Sequence, residues 1–322
     1  QGCDKEPVTP QDTGAPIMLS AAESGTKALL DNGTFNTNGN RIQVYDFVND
    51  GTTTSKHIDA YAGPDVESNS PLHTYGTTWP FESKKTGEDT TYQWIPGTHK
   101  FFGWLAKDAT LNNTTPESFF GEGFGFSETN MTLSIPAKEI TKATPQFDFL
   151  YSDIVTVDPQ NDPVPLEFKH LFTAFCITAK KNVETAITIT KITLSGLHNN
   201  KSATIDFSGN ATARVYNDSG DLGQFEFAPN YTVGLTETNL TATYLMWPQT
   251  PGDIINTENN SDDDAKIRIE YIADSKTQEP RTFSLRSLVG DNPDEFVWEP
   301  GKINKINIVF DVNQITFIID SI

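Results

Sequence analysis

The residues that could hold a transition metal or act as nucleophile and base are few. Five histidines are present, His57, His73, His99, His170 and His198, with two cysteines, Cys3 and Cys176. Zinc centres draw on closely spaced pairs such as His-x-x-x-His or Cys-x-x-Cys. None of these seven residues stands in such a spacing. The expectation is no metal centre and no cofactor. There is also no Gly-x-Ser-x-Gly elbow to present a catalytic serine. Gly121–Glu122–Gly123–Phe124–Gly125 looks like a phosphate loop but lacks the Gly-Lys-Ser/Thr ending and reads as a plain loop. The acidic run Ser261–Asp262–Asp263–Asp264 lacks the glycine and terminal glutamate of a calcium loop, and reads as a solvated turn. With 43 carboxylates in the chain, a glycosidase pair has no distinguishing mark. The chain is not expected to be an enzyme.

Composition excludes further classes. The 322 residues carry 23 Lys+Arg against 43 Asp+Glu, a net charge of -20. Nucleic acid is not expected as a partner, because phosphate binding needs a basic surface. An aromatic content of 11% is too high for a disordered acidic chain. No apolar run reaches the length of a membrane-spanning helix. Cys176 lies in the apolar stretch Leu171–Phe172–Thr173–Ala174–Phe175–Cys176–Ile177 and reads as a buried free thiol. Sequons at Asn32, Asn112 and Asn239 carry no weight without a glycosylating pathway.

The start of the chain is more informative. Gly2–Cys3–Asp4 resembles the end of a bacterial lipobox, in which the cysteine becomes the lipidated residue. Residues 1–25 hold Pro7, Pro10 and Pro16 among small polar residues and read as a tether. Ile17–Met18–Leu19 is its one apolar run, a candidate edge strand.

Beyond the tether the pattern has the period of strands. Arg41–Ile42–Gln43–Val44–Tyr45–Asp46 alternates apolar and polar, as does Lys266–Ile267–Arg268–Ile269–Glu270–Tyr271. His99 to Leu105 is aromatic enough to be covered on both faces. Ile306 to Val312 and Ile315 to Ile319, parted by Asn313–Gln314, signal a hairpin. Thr115 to Phe120 could make one helical turn. The three prolines between Asp158 and Pro165 suggest a boundary, giving domains 26–163 and 164–322 after the tether. Many short strands without alternating helices predict an all-β protein of two antiparallel β-sandwiches in tandem.

Four stretches together resemble the fimbrillin-like (Mfa-like) proteins of anaerobic Gram-negative bacteria. They are Thr26–Lys27–Ala28 with Phe35 and Arg41–Tyr45; Tyr92–Gly97 leading to Phe101–Trp104; Asp148–Tyr151 with Val164–Leu171; and Trp298–Lys302 with Ile315–Phe317. The resemblance implies transthyretin-like sandwich domains, outer-membrane localisation as a surface lipoprotein anchored through Cys3, and a place in a fimbria (pilus). Other fimbrial subunits are the implied partners, with a host or bacterial surface glycan or protein as adhesion ligand. It further implies trypsin-like processing, for which Lys27 is the candidate, and strand exchange using Ile17, Met18 and Leu19. A second reading is a surface glycan-binding lipoprotein that stacks sugar rings on exposed aromatics. Trp94 and Trp104 sit in strand-like surroundings and are expected in the core. Trp79, after a long loop, is the candidate platform.

Overall fold

A computed structural model describes residues 14–23, 35–36, 39–64, 79–218, 222–249, 265–285, 297–312 and 314–321. The first half of the chain runs through β1 (Leu19–Glu23), β2 (Arg41–Asn49), β3 (Thr54–Ala62), β4 (Phe81–Glu82), β5 (Asp89–Thr90) and β6 (Thr98–Lys107). One turn of helix, α1 (Pro116–Phe120), follows. Thr115 caps it with its side chain, Ser118 returns the bond, and Pro116 is pre-set for the first helical position. Then come β7 (Gly125–Ser127), β8 (Thr132–Glu139), β9 (Leu150–Ser152), β10 (Val155–Val157) and β11 (Val164–His170).

The rest of the chain starts with β12 (Thr173–Lys181), β13 (Ile187–His198), β14 (Asn200–Asp206), β15 (Ala213–Asp218) and β16 (Leu222–Phe227). The short strands β17 (Tyr231–Thr232), β18 (Thr238–Asn239) and β19 (Tyr244–Met246) lead to β20 (Lys266–Ala273), β21 (Lys276–Thr277) and β22 (Arg281–Ser284). The last two, β23 (Ile303–Asp311) and β24 (Gln314–Ser321), form the expected hairpin.

Among the described residues these strands make four sheets in two facing pairs. A nine-stranded sheet runs β1-β11-β9-β6-β2-β3-β4-β5, with β10 also on β6. Rings from its centre meet the four-stranded sheet β15-β14-β8-β7: Tyr45 lies 4.7 Å from Phe126, and Phe102 stacks on Phe207 at 4.3 Å. The second pair sets β18-β12-β23-β24 against β16-β13-β20-β21. Phe175 meets Phe225 edge-on at 5.3 Å, and Tyr271 reaches Phe310 at 5.3 Å. Each pair surrounds its own hydrophobic cluster.

The all-β expectation holds, but the chain does not change core at residue 163. β11, which begins at Val164, pairs with β1 and β9 of the first sheet. The first cluster runs on through Ala174, Phe175 belongs to the second, and Leu245 and Trp247 return to the first. The β14–β15 hairpin then returns to pair with β8 and bury Ile205 and Phe207 in the first core. The prolines of 158–165 mark a turn within the first sheet pair. Edge-to-edge pairing, which proline content does not encode, decides which core a strand joins.

Candidate functional site

β1 is an edge strand, and its alternation settles which residues it buries. Leu19, Ala21 and Glu23 point inward, as does Ile17 just ahead of them. Met18 is 39% exposed, so the three-residue apolar segment Ile17, Met18, Leu19 presents only Ile17 and Leu19 to the core. The reason is the period of two in extended chain. β1 runs parallel to β11, with Leu19 opposite Val164 and Glu23 opposite Phe168. Residues before it pair elsewhere: Ile17 N donates to Tyr92 O at 2.8 Å, and Trp94 N to Ala15 O at 2.9 Å.

At its far end β1 is held by charge. His170 Nε2 lies 2.7 Å from Glu23 Oε1, and its Nδ1 lies 2.9 Å from Asp148 Oδ2. All three side chains are buried. Burial alone would depress the imidazole's basicity, but Asp148 and Glu23 outweigh it and raise the His170 pKa to about 9. His170 is therefore a cation at neutral pH, bound to two carboxylates from distant parts of the chain. The turn at Gly301 closes over it. Gly301 has a φ of 76°, and a Cβ there would come within 3.1 Å of the imidazole.

A second histidine cluster lies on β2, β3 and β6. Asp46 Oδ2 is 2.6 Å from His99 Nδ1 and 3.0 Å from His57 Nδ1. His99 Nε2 is 3.0 Å from Ile95 O, and the Trp94 ring stands edge-on to His99 at 4.7 Å. Burial opposes protonation of His99, but the bonds to Asp46 and Ile95 outweigh it and hold its pKa above the ordinary value. No short-range spacing signals either cluster, since its members lie 11 to 147 residues apart.

The remaining candidates are placed as follows. Trp79 is in the core and stacks on Phe35 at 5.0 Å, so it is not a platform for a sugar ring. Its backbone explains this, because Trp79 N donates to Leu19 O at 3.0 Å and so is held against β1. Trp94 and Trp104 are buried as expected, and so are Trp247 and Trp298. Cys176 is a free thiol, only partly buried, and burial raises its pKa. His198 pairs with Asp218 at 2.8 Å. Gly121–Gly125 is a loop after α1 leading into β7. Cys3, Lys27, Asn32, His73 and the Asp262–Asp264 run lie outside the described residues. A cavity of about 440 Å³ beside Phe47 and Lys100 gathers no set of groups able to do acid–base chemistry, and the Lys100 ammonium is engaged by the carbonyls of Ser208 and Gly209.

Comparison with known proteins bears on this architecture. No curated protein matches the chain. Solved structures share its fold at low identity. A fimbrial protein from Bacteroides vulgatus superposes with a TM-score of 0.53 at 14% identity, covering 95% of this chain and 98% of that one. A protein from Bacteroides ovatus described in connection with cell adhesion gives 0.52 at 15%, covering 97% of each. Another so described, from Bacteroides uniformis, gives 0.52 at 11%, covering 95% and 97%. The fimbrillin-like family model matches residues 26–321, nearly the whole sequence. The chain belongs to the fimbrillin-like family.

Proposed function

We propose that this chain is a non-enzymatic subunit or adhesin of a cell-surface fimbria, joined to its neighbours by β-strand addition at the edge that β1 occupies. The observation that carries this reading is the place of β1. It is a short edge strand, parallel to a partner far away in sequence, with one face buried. Its loss would expose the N–H and C=O groups of β11 and the inward row Val164, Leu166 and Phe168. Ile17 and Leu19 would each forfeit about 1.5–3 kcal/mol of burial. An incoming strand of the same alternation would recover those terms, with backbone bonds giving affinity and side chains giving register. Family membership supports the fimbrial setting, with other fimbrial subunits as partners. Attachment at the outer membrane through an acylated Cys3 belongs to the same reading. The glycan-stacking alternative loses its candidate platforms, because all five tryptophans are buried.

The test is limited trypsin digestion followed by light scattering and binding of an apolar dye. The intact chain is expected to be monomeric, its own strand filling the groove. Cleavage after Lys27 is expected to produce higher oligomers or new dye-binding surface. A clipped chain that stays monomeric and binds no dye refutes strand exchange at this end.

A further inference from the structure

Three adjacent strands bring Asp46, His57 and His99 together, and their ligand atoms all lie within 4.8 Å of one another. The placement depends on a break in strand pairing. Asp46 pairs with Ile58 and Phe47 with Lys56, so His57 is an extra residue in β3. In an unbroken strand the neighbour of Ile58 would face away from Asp46; the bulge turns it towards Asp46. Asp46 and His99 are fully buried, and His57 is partly open to solvent.

Hydrogen-bond accounting narrows what can stand between these atoms to a proton or a metal cation. A carbonyl oxygen only accepts, so the bond to Ile95 O places the hydrogen of His99 on Nε2. The Nδ1 lone pair of the neutral ring then faces Asp46 Oδ2, a carboxylate oxygen that also faces His57 Nδ1. Lone pairs converging at this range require something positive between them. Asp46 Oδ1, buried alongside, has no hydrogen-bond partner among the described residues. Two imidazole nitrogens and a carboxylate are a donor set for a borderline divalent ion. A backbone carbonyl on the far nitrogen is the usual means of orienting a ligating histidine.

We propose that Asp46, His57 and His99 form a three-ligand site for a divalent first-row transition ion, with Zn²⁺ the best fit, that staples β2, β3 and β6 together. The ion takes Asp46 Oδ2 and the two Nδ1 atoms, and its fourth position opens on the His57 side. Donors around a tetrahedral ion at ~2.0 Å stand about 3.3 Å apart. The gap of 3.0 Å to His57 must therefore widen by about 0.3 Å, which the partly exposed His57 ring can supply, and the gap of 2.6 Å to His99 by about 0.7 Å, which requires the buried Asp46 carboxylate to turn. Asp46 Oδ1 is available as a second oxygen.

The experiment is titration of the chelator-stripped full chain with Zn²⁺ at pH 7.5 by calorimetry, with Co²⁺ absorption as a report on ligand geometry. The expected result is one saturable site per chain, a zinc-dependent rise in melting temperature and a tetrahedral Co²⁺ spectrum. His57→Ala replaces a partly exposed side chain at a bulge, and near-UV circular dichroism verifies its fold. It is expected to weaken binding at least tenfold, while His198→Ala leaves binding unchanged. No saturable zinc binding by the native chain overturns the proposal, leaving a cluster bridged by protons. Binding of undiminished strength in folded His57→Ala overturns it equally.

Discussion

Glu23→Gln is the most informative single change, because it removes one charge from the His170 cluster while keeping shape and a hydrogen-bond acceptor. The folded His170 pKa of about 9 lies above the ordinary 6.5, so this group binds its proton more tightly in the folded state. Its contribution is fully present below pH 6.5 and is lost as pH rises through about 9. At about 1.36 kcal/mol per pH unit, that gap corresponds to about 3 kcal/mol. Asp148 contributes more than Glu23 to holding that proton, so losing Glu23 forfeits less than half, about 1 kcal/mol. Urea unfolding of wild type and variant at pH 6.5, 7.5, 8.5 and 9.5, followed by tryptophan fluorescence, measures this directly. The variant is expected to be less stable by about that amount at pH 6.5, and the difference is expected to shrink towards zero at pH 9.5. Every other titrating group is common to both proteins and cancels in the comparison. A stability difference that does not change with pH would refute the assignment of a charged His170 holding β1.

Two further outcomes bear on the same end of the molecule. Leu19→Ala is expected to cost about 2–5 kcal/mol by leaving a cavity between β1 and the core, whereas Met18→Ala is expected to stay within about 0.5 kcal/mol; equal effects in thermal unfolding would contradict the alternation. Protein extracted from membranes is expected to show an intact mass with acyl chains on Cys3, and Cys3→Ala is expected to release it to the soluble fraction; an unmodified Cys3 would remove the lipid anchor from the proposal.

The one-turn helix α1 shows why some elements were readable from local order alone. Thr115, Pro116 and Ser118 supply cap, first-position φ and return bond within four residues, and every partner is a near neighbour. The β23–β24 hairpin is similar, with two apolar runs and a short break defining its own pairing. Trp79 failed for the opposite reason. Nothing in the neighbouring sequence reports that Leu19, 60 residues earlier, accepts its backbone hydrogen and encloses its ring among Phe35 and the first core.

Strand content, the absence of short-spaced metal and nucleophile motifs and the family resemblance were all legible in the sequence. Periodicity and composition are properties of neighbouring residues, and these features need nothing more. That β11 and the β14–β15 hairpin join the first core, that β1 lies parallel to β11 and that Met18 faces solvent are consequences of long-range pairing. Tertiary structure alone brought Glu23 to His170 across 147 residues and His99 to Asp46 across 53. Those contacts depend on which strand edges meet, and a one-residue shift in pairing would send the same side chains to opposite faces.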